Sequence, residues 1–142
     1  MYKAFFVFLV IMLIIPIHIL AKEDDVVEVY DIEHDKIIHT LPVNTSILSI
    51  TEMYLENIND IYKKFKPMPQ KGKLVRVPLE QSISLTNDWV QTSVSEVIFI
   101  IPSNDSPLLL IFDKDNTPYF FTFDKSIDHL LEELDQEGKT AE

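Results

Sequence analysis

An apolar stretch with one lysine ahead of it and a block of acids behind it divides this chain before any fold is considered. Met1–Ala21 opens with Lys3, runs apolar from Ala4 to Ile15, breaks at Pro16 and ends on Ala21; Lys22-Glu23-Asp24-Asp25 come directly after it. A basic start, an apolar run of about a dozen residues and a small residue at the border form the pattern of a secretion signal. Ala4–Ala21 is also just long enough to span a hydrocarbon layer of ~30 Å, so a retained anchor is the alternative. Bulky Ile19, two residues before Ala21, weighs against cleavage, while Pro16 and His18 weigh against a span. The positive-inside rule leaves the N-terminus in the cytoplasm. Either way residues 22–142 are expected outside it, secreted or held at the outer face of the cytoplasmic membrane. A lipoprotein anchor is excluded, because the chain has 0 Cys.

Residues 22–142 have the length of one domain. The expected division is 1–21 leader, 22–137 domain and 138–142 flexible tail. Without cysteine the domain has no disulfide framework, thiolate metal site or thiol nucleophile, and must stand on packing. The chain holds 12 basic and 23 acidic residues. Only Lys3 of these lies in the leader, so residues 22–142 carry a net charge of −12. That balance argues against nucleic-acid binding, which needs a basic footprint. It favours a soluble monomer through self-repulsion.

The pattern along the domain predicts α+β. Val26–Ile32 alternates and is β-branched, Glu33–Lys36 is a polar turn, and Lys36–Leu41 is a second strand, together a hairpin. Asn44 or Thr45 caps a helix. Its apolar stripe Ile47, Ile50, Tyr54, Ile58, Ile61 and Phe65 predicts a run to about Phe65, ended by Pro67 and Pro69. Lys63, Lys64 and Lys66 would then suit the negative end of its dipole. Lys73–Leu79 reads as a lone strand, Glu80–Asn87 as irregular, with a short turn carrying Trp89. Val94–Ile101, Leu108–Phe112 and Tyr119–Phe123 are joined by short turn-rich loops and predict a three-stranded antiparallel meander. The unbroken apolar runs Val97–Ile101 and Leu108–Phe112 are expected to be covered on both faces. Ser126–Asp135, with Ile127, Leu130, Leu131 and Leu134 on one stripe, forms a second helix, with Gly138 just past its end.

The chemistry-bearing motifs are sparse. Asp113-Lys114-Asp115-Asn116-Thr117 has alternate oxygen ligands, but Pro118 stands where a calcium loop needs glycine, so a hairpin turn is expected. His34 and His39 lie near Asp31, Glu33 and Asp35, yet a five-residue separation puts the two imidazoles on opposite faces of an extended strand. There is no Gly-x-Ser-x-Gly and, with Gly72 and Gly138 alone, no phosphate-cradling loop. The expectation is a protein that is not an enzyme, with no cofactor and no metal. The feature that stands out is a basic island. Lys63, Lys64, Lys66, Lys71, Lys73 and Arg76 occur with no acid between Ile61 and Leu79, and Met68 sits between two prolines among them. Such asymmetry points to an anionic partner: lipid headgroups, a cell-wall polymer or an acidic protein.

The runs Tyr54-Leu55, Ile61-Tyr62, Phe65-Lys66-Pro67-Met68-Pro69, Lys71-Gly72, Val77-Pro78-Leu79, Trp89-Val90, Val97-Ile98-Phe99-Ile100 and Phe120-Phe121-Thr122-Phe123 resemble small uncharacterised exported proteins of Bacillus-like Gram-positive bacteria. The resemblance spans most of residues 22–142 and implies no activity. The residues therefore suggest a non-enzymatic interaction or accessory domain at the membrane surface or cell wall, using the island at 63–76. The alternative is a secreted ligand-binding or inhibitory protein that uses an apolar sheet face or a pocket near Trp89.

Overall fold

A computed structural model describes residues 25–64 and 66–140. The leader and its border up to residue 24, Phe65 and the last two residues lie outside the described residues. The fold is α+β: one seven-stranded antiparallel sheet and two helices. The elements are β1 (Val26–Asp31), β2 (Lys36–Pro42), α1 (Thr45–Glu56), β3 (Ile58–Ile61), β4 (Gly72–Thr86), β5 (Gln91–Pro102), β6 (Leu108–Phe112), β7 (Pro118–Phe123) and α2 (Asp128–Thr140). The sheet order is β2-β1-β4-β5-β6-β7-β3.

Alternation along the strands divides the sheet into two faces. Val27, Val29, Val75, Val77, Val97, Phe99, Leu109, Ile111 and Phe121 fill the helix side and join Ile47, Tyr54, Leu55, Leu130 and Leu134 in the main core. Ile100, Leu108 and Leu110 are buried on the other side, with Tyr62, Leu74, Ile98, Phe112 and Phe120 packed round them. β6 is thus covered on both faces, as its unbroken apolar run requires.

Asn44 starts α1 by accepting from the Ile47 N–H at 2.8 Å. The helix ends at Glu56, nine residues before the expected Phe65. Asn57 ends it: its N–H donates to Tyr54 O at 3.1 Å, its side-chain amide to Met53 O at 2.7 Å, and its own carbonyl accepts from Asp124 N at 2.9 Å. The stripe beyond it belongs to a strand. β3 pairs with β7 as Ile58↔Phe123, Asp60↔Thr122 and Ile61↔Phe121, so Asn59 is an extra, bulged residue. A bulge places residues three apart on one face, and Ile58 and Ile61 therefore mimic a helical spacing.

β4 also departs from expectation. It continues past Leu79 to Thr86 through a wide bulge, since Pro78 pairs with Glu96 and Ile83 with Val94. Leu79–Ser82 thus face a single residue of β5, and a strand tolerates proline beside such a bulge. The outer half of this hairpin bends over the helix side, and Trp89 at its tip packs 5.9 Å from the Phe121 ring. The turn is held by Asn87 Oδ1, which accepts from the N–H groups of Trp89 and Val90, both at 3.0 Å.

β3 lies at one edge and β4 is the third strand from the other. Residues 62–71 must therefore pass β7, β6 and β5, a distance of about 19 Å at ~4.8 Å per strand spacing. This strap leaves β3 with Tyr62 N donating to Phe120 O at 2.7 Å and ends with Lys71 O accepting from Ser103 N at 3.1 Å. Gly72 comes next at φ +131, where an added Cβ would lie 2.2 Å from Ile101 O, so no other residue fits there. α2 runs to Thr140, through the expected tail. Gly138 is inside the helix, and the His39 imidazole lies against it, with Nε2 3.1 Å from where a Cβ would stand.

Candidate functional site

The pairing of β4 with β1 and β5 spreads the basic island over several surroundings. Arg76 lies opposite Glu28 and Ile98, on the face away from the helices. Its Nε donates to Glu96 Oε2 at 2.8 Å and its Nη1 reaches Glu28 Oε2 at 3.4 Å. Burial opposes the guanidinium charge, but the bonds and charges of Glu96 and Glu28 outweigh it and raise the pKa further. Arg76 is thus committed on the sheet face to acids remote in sequence. Lys71 pairs with Glu33 at 2.9 Å, and Lys63 stands 4.0 Å from Asp60. Lys73 lies on the helix side, in line with Val75. Lys64 and Lys66 are exposed, and no ion pair joins either to another described residue. Met68 is 49% exposed between half-buried Pro67 and Pro69.

The structure thus keeps Lys63, Lys64, Lys66 and Met68 on the strap, with Lys71 at its end, and separates Lys73 and Arg76 from them. The three strap lysines lie beyond α1, so none complements its C-terminus.

A second surface has no signature in the sequence. Between α2 and the sheet lies a groove of about 430 Å³, lined by Val29, Ile38, His39, Lys73, Val75, Leu131, Leu134, Asp135, Gly138 and Lys139. Its wall depends on another bulge. Val29 pairs with His39 and Tyr30 with Ile37, which leaves Ile38 as the extra residue of β2. Bulges re-aim side chains, and here Ile38 and His39 both line the groove. Only a strict period of two could have been applied to the sequence, and that does not foresee this arrangement.

The other motifs are local structure. Asp113 Oδ1 accepts from Asp115 N at 2.8 Å and Thr117 N at 2.9 Å, and Asn116 has φ 61, so this loop is a hairpin turn. His34 lies in the β1–β2 turn, its Nδ1 2.9 Å from Asp31 Oδ2. The hydrogen bonds from the His34 side chain and backbone hold the Asp31 carboxyl below its usual pKa. Tyr30 OH donates to Asp35 in the same turn, which raises the phenol pKa. Among the described residues no three His, Cys, Asp or Glu side chains are placed to hold a metal ion. No helix among them is long and apolar enough to cross a membrane. Trp89 and Phe121 are spent on the core, as are Tyr119 and Phe123 beside them. Comparison of the chain with protein-family models, curated proteins and solved structures finds no match.

Proposed function

We propose that this is a non-enzymatic interaction domain at the extracytoplasmic face of the cell, contacting an anionic surface through the strap. The apolar leader and the acidic border after it support the compartment. The observation that carries the contact is the state of the strap. Lys63, Lys64 and Lys66 project from one short connection, two of them without a carboxylate partner among the described residues, next to a Met68 side chain held out between prolines. An apolar tip ringed by lysines suits a headgroup layer: the methionine enters and the charges stay with the phosphates. The strap is tied at both ends by backbone hydrogen bonds, from Tyr62 N to Phe120 O and from Ser103 N to Lys71 O.

The test is co-sedimentation of the protein lacking residues 1–21 with vesicles of phosphatidylglycerol, vesicles of phosphatidylcholine, and anionic wall polymer. Binding to an anionic partner at low salt is expected. It weakens as the screening length falls from ~30 Å at 0.01 M to ~8 Å at 0.15 M. Replacing Lys63, Lys64 and Lys66 together by Gln is expected to cut it at least tenfold, and Met68→Ser to cut vesicle binding alone. Equal binding to both lipids, or binding indifferent to the lysines, overturns the reading.

A further inference from the structure

The groove beside α2 is independent of the strap, on the opposite face of the sheet. Its floor is apolar: Val75 is fully buried, Val29 and Leu134 nearly so, and Leu131 is half-buried. Its lip is polar and unevenly charged. Lys73 and Lys139 are exposed there, each without an ion-pair partner among the described residues, and Asp135 is the one carboxylate in the lining. Asp31, the register partner of Lys73, is turned to His34. Two ammonium groups against one carboxylate leave a single positive surplus, on a domain whose other surfaces are mostly acidic.

We propose that this groove binds a small amphiphilic monoanion, an alkyl carboxylate of about ten carbons. The chain would lie on Val29, Val75, Leu131 and Leu134, with the carboxylate between Lys73 and Lys139. The volume of about 430 Å³ is within the range of small-ligand sites. At roughly 30 Å³ for each water-sized group, this space takes at most about a dozen heavy atoms. A cation meets the two lysines, a neutral alcohol leaves them unanswered, and a dianion meets Asp135; a monoanion matches the surplus. His39 supplies the polar wall. The ring stands close to Gly138, where a Cβ would lie 3.1 Å from its Nε2.

Titration of the protein with decanoate and decyltrimethylammonium below their micelle concentrations, and with decanol below its solubility limit, tests this by calorimetry and by backbone amide NMR. One decanoate per chain is expected, with a dissociation constant on the order of 100 µM. Shifts should concentrate at Val29, Val75, Leu131 and Leu134, and the other two head groups should bind at least tenfold more weakly. The pair Lys73→Gln and Lys139→Gln, both exposed and so harmless to folding, should lower decanoate affinity at least tenfold. Leu131→Trp, which fills the floor, should abolish binding with the far-UV circular dichroism unchanged. Acetyl-leucine, a peptide-like carboxylate of about the same dozen heavy atoms, separates a free acyl chain from a chain terminus. Tighter binding of acetyl-leucine overturns the alkyl assignment. Absence of saturable binding, equal affinity for all three head groups, or shifts centred on the strap overturns the site.

Discussion

Tyr54 shows how much one side chain decides here. Its ring is fully buried and meets Phe99 and Phe123 edge-on, at centroid distances of 5.2 and 5.0 Å. Its hydroxyl donates to Ser126 O at 2.5 Å, which ties α1 to the turn before α2. Burial raises the phenol pKa above its usual value of 10.0. A phenol that ionises less readily when folded contributes stability that is whole below the unfolded pKa and is lost as pH rises through the folded one. Tyr54→Phe leaves the carbonyl of Ser126 without this partner and is expected to cost about 1 kcal/mol at pH 7. The gap between wild type and variant should close as pH climbs above about 10. Urea midpoints at pH 7 and at increasing alkaline pH measure both effects. Tyr30 also titrates high through Asp35, so the difference between the two proteins carries the result, not the slope of either.

Among the elements, the sequence disclosed what strict periodicity can disclose. β1, β2, β6, β7 and the body of β5 follow apolar alternation or unbroken apolar runs, and Asn44 marks the start of α1 by its capping chemistry. The rest was hidden by extra residues. Asn59 turns a strand into a pattern of threes, Ile38 brings two successive residues to one groove, and the exposed Glu80-Gln81-Ser82 makes the middle of β4 look like a loop. The groove was illegible for the same reason, and because its lip joins Lys73 to Asp135 and Lys139, more than sixty residues away. Within the island the lysines were legible as residues, but Glu28, Glu33 and Glu96 reach Arg76 and Lys71 only through the pairing of the sheet. Asn59 offers a test of the β3 assignment. Deleting it leaves Ile58, Asp60 and Ile61 in regular alternation against Phe123, Thr122 and Phe121. The side-chain bond given up is that of the Thr122 hydroxyl to Asn59 Oδ1, so the expected cost is below about 1.5 kcal/mol by urea denaturation. Were residues 58–65 helical, the deletion would swing Ile61 about 100° off the apolar stripe, and several kcal/mol would be lost.

For the molecule as a whole, the acid excess and the two sheet edges set the boundary conditions. β2 carries exposed Ile37 and Ile38 at one edge, but its bulge spoils a regular template for another strand, and β3 at the other edge is only four residues long. With a net charge of −11 on the chain, copies repel one another as well. All seven strands form one continuous sheet, so stability is expected to be shared across it. A chain ended after Thr117 lacks β7, the partner of both β6 and β3, together with α2. It is expected to show no cooperative urea transition, whereas the whole protein unfolds in one step. Two-step unfolding of the intact chain, or a sharp transition in the shortened one, would contradict this.

The order in which the strands are made has its own consequence. Ile58 is synthesised 65 residues before Phe123, its partner. Until β7 is in place, the far border of the sheet cannot be shut, and the greasy side of β3 has nowhere dry to go. Any interruption that leaves the chain short of β7 therefore leaves an unmated ribbon within reach of proteases.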